Sequence, residues 1–350
     1  MKTRLVRINE EEIDEKAIRC AGHIIKTGGL VAFPTETVYG LGADALNKEA
    51  SEKIYAAKGR PSDNPLIVHI AELSDLCKIA DNIPPAAWAL ADTYWPGPLT
   101  MIFQKKDIVP KETTGGLDTV AVRMPGHKVA LAFIREAGGF IAAPSANISG
   151  RPSPTLAKHV EQDLNGRIEM IIDGGAVNIG LESTIVDMTS EIPTILRPGY
   201  ISKEMMEEVL GEVAYDQAIF KSVDLKTPPK APGMKYKHYA PKGELVIVKG
   251  AQTEVTEFIR REIKNRQAGG EIVGVIAATE TCSLYEAPVV ENIGTREDEE
   301  TIARHLYAVL REFDEKGVTY IFSEEFNTPL MGQAIMNRLM KAAGHRVIKV

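Results

Sequence analysis

The chain has 350 residues, of which 44% are hydrophobic, and its formal net charge is −7. This composition allows well-packed cores in roughly two domains and excludes a disordered chain. The acidic balance argues against a general nucleic-acid coat but not against a local basic cleft. Three scattered cysteines predict neither a disulfide framework nor a zinc site, and they fit a reducing cytosol.

The N-terminal stretch lacks the apolar core of a signal peptide. No apolar run approaches the ~18 residues of a membrane span, and the longest, such as 272–278, have the length of a strand. We therefore expect a cytoplasmic protein without membrane segments.

Helix and strand patterns alternate along the first part of the chain. Apolar residues at helical spacing predict a helix over 11–26, and Gly28 follows where a left-handed helix stop is needed. Further helices are predicted at 51–58, 86–94 and 203–210. Short apolar runs predict strands at 30–33, 66–70, 99–103, 119–125, 141–143, 171–175, 182–187 and 194–197.

The stretch 58–70 combines cations, prolines and a histidine. Lys58 and Arg60 flank a glycine, and Pro61 and Pro65 stiffen the residues that follow. We interpret it as a helix end, a rigid loop and a buried strand that ends on His69 and Ile70. Such a loop would hold cations and a histidine over one pocket. The alternative is an ordinary helix-to-strand connection with solvated charges.

Small polar residues follow two predicted strands. Thr35, Glu36 and Thr37 come directly after the strand that ends at residue 33. Ligands of open α/β sheets bind at such strand ends, and the alternative is a polar turn before a helix, capped by a threonine. The segment 144–150 holds small hydroxyl and amide residues that suit contact with phosphate or ribose. Plain turn chemistry is its alternative.

Two arginines lie in or at the end of apolar strands. Arg123 interrupts the predicted strand 119–125, so it needs an anionic ligand or a carboxylate partner. A structural salt bridge is the alternative to a ligand. The strand 194–197 delivers Arg197 into a turn, and Ser183 stands at the start of the strand 182–187.

The composition changes between residues 215 and 242. Residues 227–233 are rich in proline and predict an extended linker. Alternating patterns then predict a small, mainly parallel α/β domain. Its strands are expected at 245–248, 272–277, 318–322 and 347–350, and its helices at 254–265, 301–313 and 334–342.

Several well-known site motifs are absent from the sequence. It has no P-loop, dinucleotide fingerprint, nucleophile elbow or common metal-binding pattern. A charge-assisted hydrogen bond contributes ~1.5–3 kcal/mol, so several converging donors can hold a triphosphate without a P-loop. From the residues alone we predict an enzyme or binder of phosphate-bearing small molecules, with cations at Lys58, Arg60, Arg123 and Arg197.

Seven motifs in series carry a family resemblance. They are PTETVYGLG, KGRPSDNPLIVHI, PGPLT, VAVRMP, PSANISG, ESTIVD and LRPG. In this order and spacing they resemble the YrdC-like threonylcarbamoyl-AMP synthase family over residues 13–210, and the rest of the chain resembles its longer members. The resemblance implies a YrdC-like twisted open sheet with helices at 1–212, a linker and active-site clamp at 213–243, and a smaller Rossmann-like α/β domain at 244–350.

The resemblance also implies a reaction. L-threonine, bicarbonate and ATP give threonylcarbamoyl-AMP and pyrophosphate, for the threonylcarbamoyl-adenosine modification of tRNA. Mg²⁺ would accompany ATP, held chiefly by phosphates and water. Downstream tRNA threonylcarbamoyl-transfer proteins would be partners, and a weak contact with tRNA is a further expectation.

The resemblance assigns roles to residues that match the family's motifs. Lys58 and Arg60 would be catalytic. Threonine would be held by Thr35, His69, Arg123 and Ser183. No metal-binding residue is implied. ATP would be held by Lys58, Arg60, Ser62, Thr119, Ala143, Ser145, Asn147, Ser153, Arg197 and Tyr236.

Two other functions fit a YrdC-like domain. The first is a double-stranded RNA- or tRNA-binding or ribosome-maturation factor, against which the net charge of −7 and the missing aromatic-basic motif argue. The second is a carbamoyl-transfer enzyme of the hydrogenase-maturation type. The lack of flanking zinc-finger and acylphosphatase-like segments argues against it.

Overall fold

The structure, a computed structural model, describes residues 2–219, 229–232 and 238–350. The described residues form two compact units. The first lies within Met1–Ser149, Ser153–Asn178 and Glu182–Tyr236, and the second within Gly150–Pro152, Ile179–Leu181 and Lys237–Val350. Among the described residues no helix is both long and apolar enough to cross a membrane.

The first unit is a mixed sheet with helices. Its helices are α1 (Glu15–Lys26), α2 (Lys48–Lys58), α3 (Leu76–Ile79), α4 (Pro85–Tyr94), α5 (Lys128–Glu136), α6 (Ala157–Leu164) and α7 (Lys203–Leu210). Its strands are β1 (Arg4–Arg7), β2 (Val31–Phe33), β3 (Gly40–Asp44), β4 (Ile67–His69), β5 (Ala80–Asp81), β6 (Leu99–Lys105), β7 (Thr119–Arg123), β8 (Ile141–Ala143), β9 (Met170–Asp173), β10 (Thr184–Asp187), β11 (Thr194–Arg197) and β12 (Ala214–Tyr215).

The strand order of this sheet is β1-β9-β2-β3-β8-β4-β7-β6-β10-β11-β12, and β5 pairs with β6. Strand β4 lies in the middle, parallel to β7 and antiparallel to β8. Its register places His69 opposite both Arg123 and Ile141. Because residues directly opposite one another share a face, these side chains lie on the same side of the sheet. We call this side the Arg123 face.

Local sequence explains how helix α2 delivers its cations. Asn47 caps the helix start by accepting a hydrogen bond from the Ala50 amide. Gly59 ends the helix in the left-handed conformation, at φ 61°, which glycine adopts without steric cost. Lys58 therefore belongs to the last helical turn, and Arg60 begins the loop.

Helices cover only part of the Arg123 face. Helices α1 and α5 form one buried cluster with Val31, Phe33, Ile141 and Ala143. A separate small cluster lies farther along the sheet. It contains Ile67, Ile102, Ala121, Ile185, Leu196 and Ala231.

The second unit contains a parallel α/β sheet. Its strand order is β15-β14-β16-β13-β17, and all four strand pairs are parallel. This is the Rossmann-like architecture that the sequence predicts. The strands are β13 (Glu244–Lys249), β14 (Val273–Ala277), β15 (Val289–Asn292), β16 (Tyr320–Glu324) and β17 (Val347–Lys349), and the helices are α8 (Gln252–Ala268), α9 (Glu299–Glu315) and α10 (Gly332–Ala342).

The structure corrects several sequence-based boundaries. Helix α1 begins at Glu15, because Asp14 accepts hydrogen bonds from the Lys16 and Ala17 amides as its N-cap. The polar segment after β2 leads into strand β3, antiparallel to β2, and not into a helix. Strand β16 begins two residues later than predicted, at Tyr320. Strands β1, β3, β5, β12 and β15 and helices α3, α5 and α6 were not predicted.

Candidate active site

The loop after β2 is fixed by the hydroxyl of Thr35. This oxygen donates to the Val38 carbonyl at 2.7 Å and lies 2.9 Å from the Thr37 hydroxyl. The amides of Thr37 and Val38 donate to it at 3.2 and 3.3 Å. Thr35 is buried. The loop is therefore held rigidly, and the intervening Glu36 is presented at a fixed position.

Arg123 ends strand β7 and is buried, with 4% exposure. Its Nε donates to the Gly97 carbonyl at 3.2 Å, and its Nη1 donates to the Thr37 hydroxyl at 2.9 Å. Its Nη2 lies 2.7 Å from Glu36 Oε1. The sequence left an anionic ligand or a carboxylate partner open for Arg123. The structure shows a carboxylate partner, Glu36, from a neighbouring loop.

His69 stands beside Arg123 on the same face. Its Nδ1 lies 3.2 Å from the Ile67 carbonyl, and its ring meets Phe33 edge-on. Burial, with a further contribution from the Arg123 charge, lowers the pKa of His69 from 6.5 to about 3. The imidazole is therefore neutral at neutral pH, so it acts as a hydrogen-bonding group and not as a cation.

Ser183 and Arg197 are brought together at the start of β10. Arg197 donates to the Ser183 carbonyl through Nε and Nη2, at 3.1 and 2.9 Å, and Nη2 also reaches the Ser183 hydroxyl at 3.2 Å. That hydroxyl lies 2.7 Å from the hydroxyl of Thr100 on β6. Both serine and arginine are buried. The pair fixes a hydroxyl on the Arg123 face.

Lys58 is 2% exposed, so the solvated-charge alternative is wrong for this residue. Its Nζ donates to the Ser145 carbonyl at 2.5 Å, to the Asn147 carbonyl, and to Asn147 Oδ1 at 3.3 Å. The Ser145 hydroxyl donates to the same Oδ1 at 2.6 Å. Three residues predicted to hold phosphate thus form one polar cluster after β8.

Arg60 and Ser62 lie in the loop that leaves helix α2. Arg60 is partly buried, and its Nη2 donates to the carbonyls of Asn64 and Pro65 at 3.2 and 3.0 Å. These bonds hold the loop in a tight curve. Ser62 is exposed and lines a cavity of about 550 Å³ together with Asp63 and Glu112.

The remaining predicted ATP residues occupy different places. Ala143 ends β8, directly opposite Ile67. Thr119 begins β7, at the end away from Arg123. The buried Ser153 hydroxyl donates to Glu182 Oε1 at 2.6 Å. Tyr236 lies outside the described residues.

The described part of the linker packs within the first unit. Ala231 is fully buried among the apolar residues of the small cluster on the Arg123 face, which include Ile67, Ala121 and Ile185. Pro232 accepts a hydrogen bond from Arg197 Nη1 at 3.4 Å. Lys230 Nζ lies 3.8 Å from Asp187 Oδ2. Residues 229–232 therefore lie over the sheet beside Arg197.

The sequence placed Glu36 and Thr37 at a strand end that could bind a ligand but assigned no specific role to them, nor to Thr100 or Glu182. Each lies in one of the motifs quoted above, and Thr100 lies within strand β6. The signal in the sequence that could have identified them is a polar residue within a mainly apolar stretch. The partner of each comes from a different segment, so spacing alone does not reveal it.

A mixed twisted sheet with buried cations and hydroxyls at its strand ends defines the class: an α/β protein with a polar, cation-lined site at the strand ends. The family model described as "Telomere recombination" (Sua5_yciO_yrdC) matches residues 23–199. The model described as "Threonylcarbamoyl-AMP synthase, C-terminal domain" matches residues 201–344. The chain belongs to the threonylcarbamoyl-AMP synthase family.

Full-length relatives support this assignment. The chain is 50% identical over 341 residues to a threonylcarbamoyl-AMP synthase of Pyrococcus abyssi, covering 97% of this chain and 98% of the relative. It is 49% identical over 353 residues to that of Bacillus subtilis, covering both chains fully. The crystal structure of P. abyssi Sua5 complexed with L-threonine is 48% identical, with a TM-score of 0.94, and covers 99% of this chain and 100% of that chain.

Proposed function

We infer that this protein synthesises threonylcarbamoyl-AMP from L-threonine, bicarbonate and ATP, with release of pyrophosphate. The observation that carries the inference is the end-to-end match to synthases at about 50% identity. The buried cations Lys58 and Arg123 fit this activity, because all three substrates carry negative charge. An enzyme for such substrates mainly positions them and neutralises developing charge.

For threonine, we propose a site around Arg123. Its planar guanidinium suits a carboxylate, and neighbouring hydroxyl and imidazole groups offer neutral hydrogen bonds. Thr35, His69 and Ser183 are the proposed partners, and each is buried. A neutral His69 would hydrogen-bond the substrate hydroxyl without attracting a second anion.

For ATP, we propose the polar cluster of Lys58, Ser145 and Asn147. Lys58 supplies a fixed ammonium that is already held by two backbone carbonyls. Arg60, at the start of the loop that leaves helix α2, is the second proposed catalytic cation. Ser62, Thr119, Ala143, Ser153, Arg197 and Tyr236 remain proposed ATP contacts.

The proposed chemical step needs no protein nucleophile. The carboxylate of N-carboxythreonine attacks the α-phosphorus of ATP, and pyrophosphate leaves. Lys58 and Arg60 would stabilise the negative charge that spreads over the phosphate oxygens. Arg123 would hold the threonine carboxylate away from the reacting phosphorus. The residues thus act by position and charge.

Residues 229–232 support the proposal that the linker closes over the site. Ala231 and Pro232 are buried against the sheet, and Pro232 meets Arg197. A segment in this place would exclude water from a reactive adenylate. Of the expected clamp, 213–243, residues 220–228 and 233–237 lie outside the described part of the chain.

Mg²⁺ enters this proposal with ATP. The described residues contain no group of three or more histidine, cysteine, aspartate or glutamate side chains placed for a metal. The surroundings of Lys58 offer amide, carbonyl and ammonium groups, which do not fit a protein-held magnesium ion. We propose that phosphates and water hold the ion.

The proposal also includes the proteins that receive the product and the cellular location of the enzyme. The adenylate would pass to tRNA threonylcarbamoyl-transfer proteins, and we propose a weak contact with tRNA and a cytoplasmic location. The family assignment favours the synthase over an RNA-binding or ribosome-maturation factor and over a carbamoyl-transfer enzyme. These alternatives predict no synthesis of the adenylate.

Pyrophosphate release tests the proposed function. The purified chain should release pyrophosphate only when L-threonine, bicarbonate and ATP are all present. Each substrate should be omitted in turn, and D-threonine should replace the L form as a control. Release that does not depend on threonine and bicarbonate would overturn the proposal.

A further inference from the structure

Glu36 is a buried carboxylate with no role in the proposal above. It is 7% exposed and lies in the rigid loop fixed by Thr35. Neither of its oxygens has a hydrogen-bond partner among the described residues. Buried carboxylate oxygens without donors are unfavourable, because each has lost its hydration. Among the described residues, both oxygens therefore have room for a further hydrogen-bond donor.

The charge next to Glu36 belongs to Arg123. Oε1 lies 2.7 Å from Nη2, yet the two atoms are not aligned for a hydrogen bond. Nε and Nη1 of Arg123 are occupied by Gly97 and Thr37, so Nη2 is the remaining edge of the guanidinium. A buried carboxylate and a buried guanidinium thus lie side by side, and each has unused hydrogen-bonding capacity.

An α-amino acid is complementary to such a pair. Its carboxylate and its ammonium sit on the same carbon, roughly one hydrogen-bond length apart. If the carboxylate takes Nη2 of Arg123, as proposed for threonine, the ammonium falls within reach of the neighbouring acid. An ammonium is the donor that both Glu36 oxygens lack.

We propose that Glu36 binds the ammonium group of threonine and accepts its proton when the nitrogen is carboxylated. This assignment rests on the proposed function. The amine forms a bond to the bicarbonate carbon, and the bicarbonate hydroxyl leaves. The nitrogen loses two protons, one to that hydroxyl, giving water, and one to the Glu36 carboxylate. The N-carboxythreonine keeps one N–H and one new negative charge, so atoms and charges balance.

The first test uses the unmodified full chain. L-Threonine is compared by titration calorimetry with (3R)-3-hydroxybutyrate, which has the same carboxylate and hydroxyl but no ammonium. A charge-assisted hydrogen bond predicts that threonine binds at least about tenfold more tightly. Equal affinity would mean that the ammonium has no partner in the site, and the proposal would fall.

The second test uses Glu36→Gln, which keeps the shape and removes the charge. We expect threonine affinity to fall at least about tenfold, and 3-hydroxybutyrate affinity to stay within about twofold. Unchanged threonine affinity, or an equal loss for both ligands, would overturn the assignment. Asp75→Asn is the matched control, because Asp75 is also a buried carboxylate and pairs with Lys78 at 2.7 Å. It should leave both affinities unchanged.

Pyrophosphate release separates a failure of the proposed function from a failure of the role of Glu36. If the unmodified chain releases no pyrophosphate with all three substrates, the proposed function fails. If it does, and Glu36→Gln binds and uses threonine normally, only the role of Glu36 fails. A variant that does not fold leaves the decision with the ligand comparison on the unmodified chain.

Discussion

At the residue scale, burial decides which cations belong to the site. Lys58 and Arg60 look equivalent in sequence, but Lys58 is almost fully buried and Arg60 only partly. Ser145, whose carbonyl accepts a hydrogen bond from the Lys58 ammonium, is 87 positions away. No local pattern reports such a contact, so the sequence identified the cation but not its environment.

Lys58→Ala should lower adenylate formation at least about a hundredfold, because a fixed charge beside the proposed phosphate site is lost. The carbonyls of Ser145 and Asn147 lose a donor, so we also expect a stability loss of about 1–3 kcal/mol. Pyrophosphate release and urea unfolding measure the two effects.

Arg60→Ala should also abolish activity. We expect a smaller loss of stability than for Lys58→Ala, because Arg60 is only partly buried. Activity within a few-fold of the unmodified chain would contradict the role of either cation.

Arg123→Lys should weaken the use of threonine more than that of ATP. Lysine keeps the charge but loses the planar fork that now reaches Gly97, Thr37 and Glu36. We expect the threonine KM to rise about 10- to 100-fold with the ATP KM nearly constant. Steady-state kinetics in each substrate provide the measurement. The reverse pattern would mean that the two substrate sites are exchanged.

His69 predicts a pH dependence of stability. Burial lowers its pKa from 6.5 to about 3, so the folded protein keeps it neutral while the unfolded chain protonates it below pH 6.5. Its stabilising contribution is complete above pH 6.5 and is lost as the pH falls toward 3, at about 1.4 kcal/mol per pH unit. Between pH 7 and pH 5 the unmodified chain should lose about 2 kcal/mol more than His69→Gln.

Urea unfolding at the two pH values measures this difference. His23→Gln is the control, because His23 is exposed, and it should behave like the unmodified chain. An equal loss in His69→Gln and the unmodified chain would show that His69 is protonated in the folded state.

At the element scale, periodicity predicted the buried strands and long helices well. Strands β8 and β11 and helix α7 have the predicted bounds. Strand β3 was missed because glycine disfavours strands, although Gly40 and Gly42 are needed where a Cβ would approach the Phe33 ring to 3.1 Å. Strand β1 was missed because its exposed edge position gives it no apolar alternation.

The linker packs against the sheet through Ala231. Ala231→Glu would place a charge in the apolar cluster around Ile67 and Ala121, so residues 229–232 should leave the sheet. We expect adenylate formation to fall at least about tenfold, with a small change in melting temperature, because a short segment is displaced. Pyrophosphate release and calorimetric unfolding are the measurements. Lys230→Ala is the control, since that side chain is 67% exposed, and normal activity in Ala231→Glu would reduce the linker to a spacer.

At the scale of the whole molecule, the proposed site gathers residues from distant segments. Arg123 and Thr37 are 86 positions apart, and Thr100 and Ser183 are 83 apart. Composition and strand-end placement predicted an anion-binding α/β protein. The family resemblance grouped Arg123 with Ser183 but not with Thr37 or Thr100, and spacing along the chain carries no information on which strands are neighbours in a sheet of this order.

The most direct test of the account is the fate of the bicarbonate carbon. The full chain is incubated with L-threonine, ATP and ¹³C-bicarbonate, and the products are separated and weighed by mass spectrometry. We predict an adenylate that contains threonine and one ¹³C atom, formed in equal amount to pyrophosphate. An adenylate without the label, or pyrophosphate without an adenylate, would contradict the account.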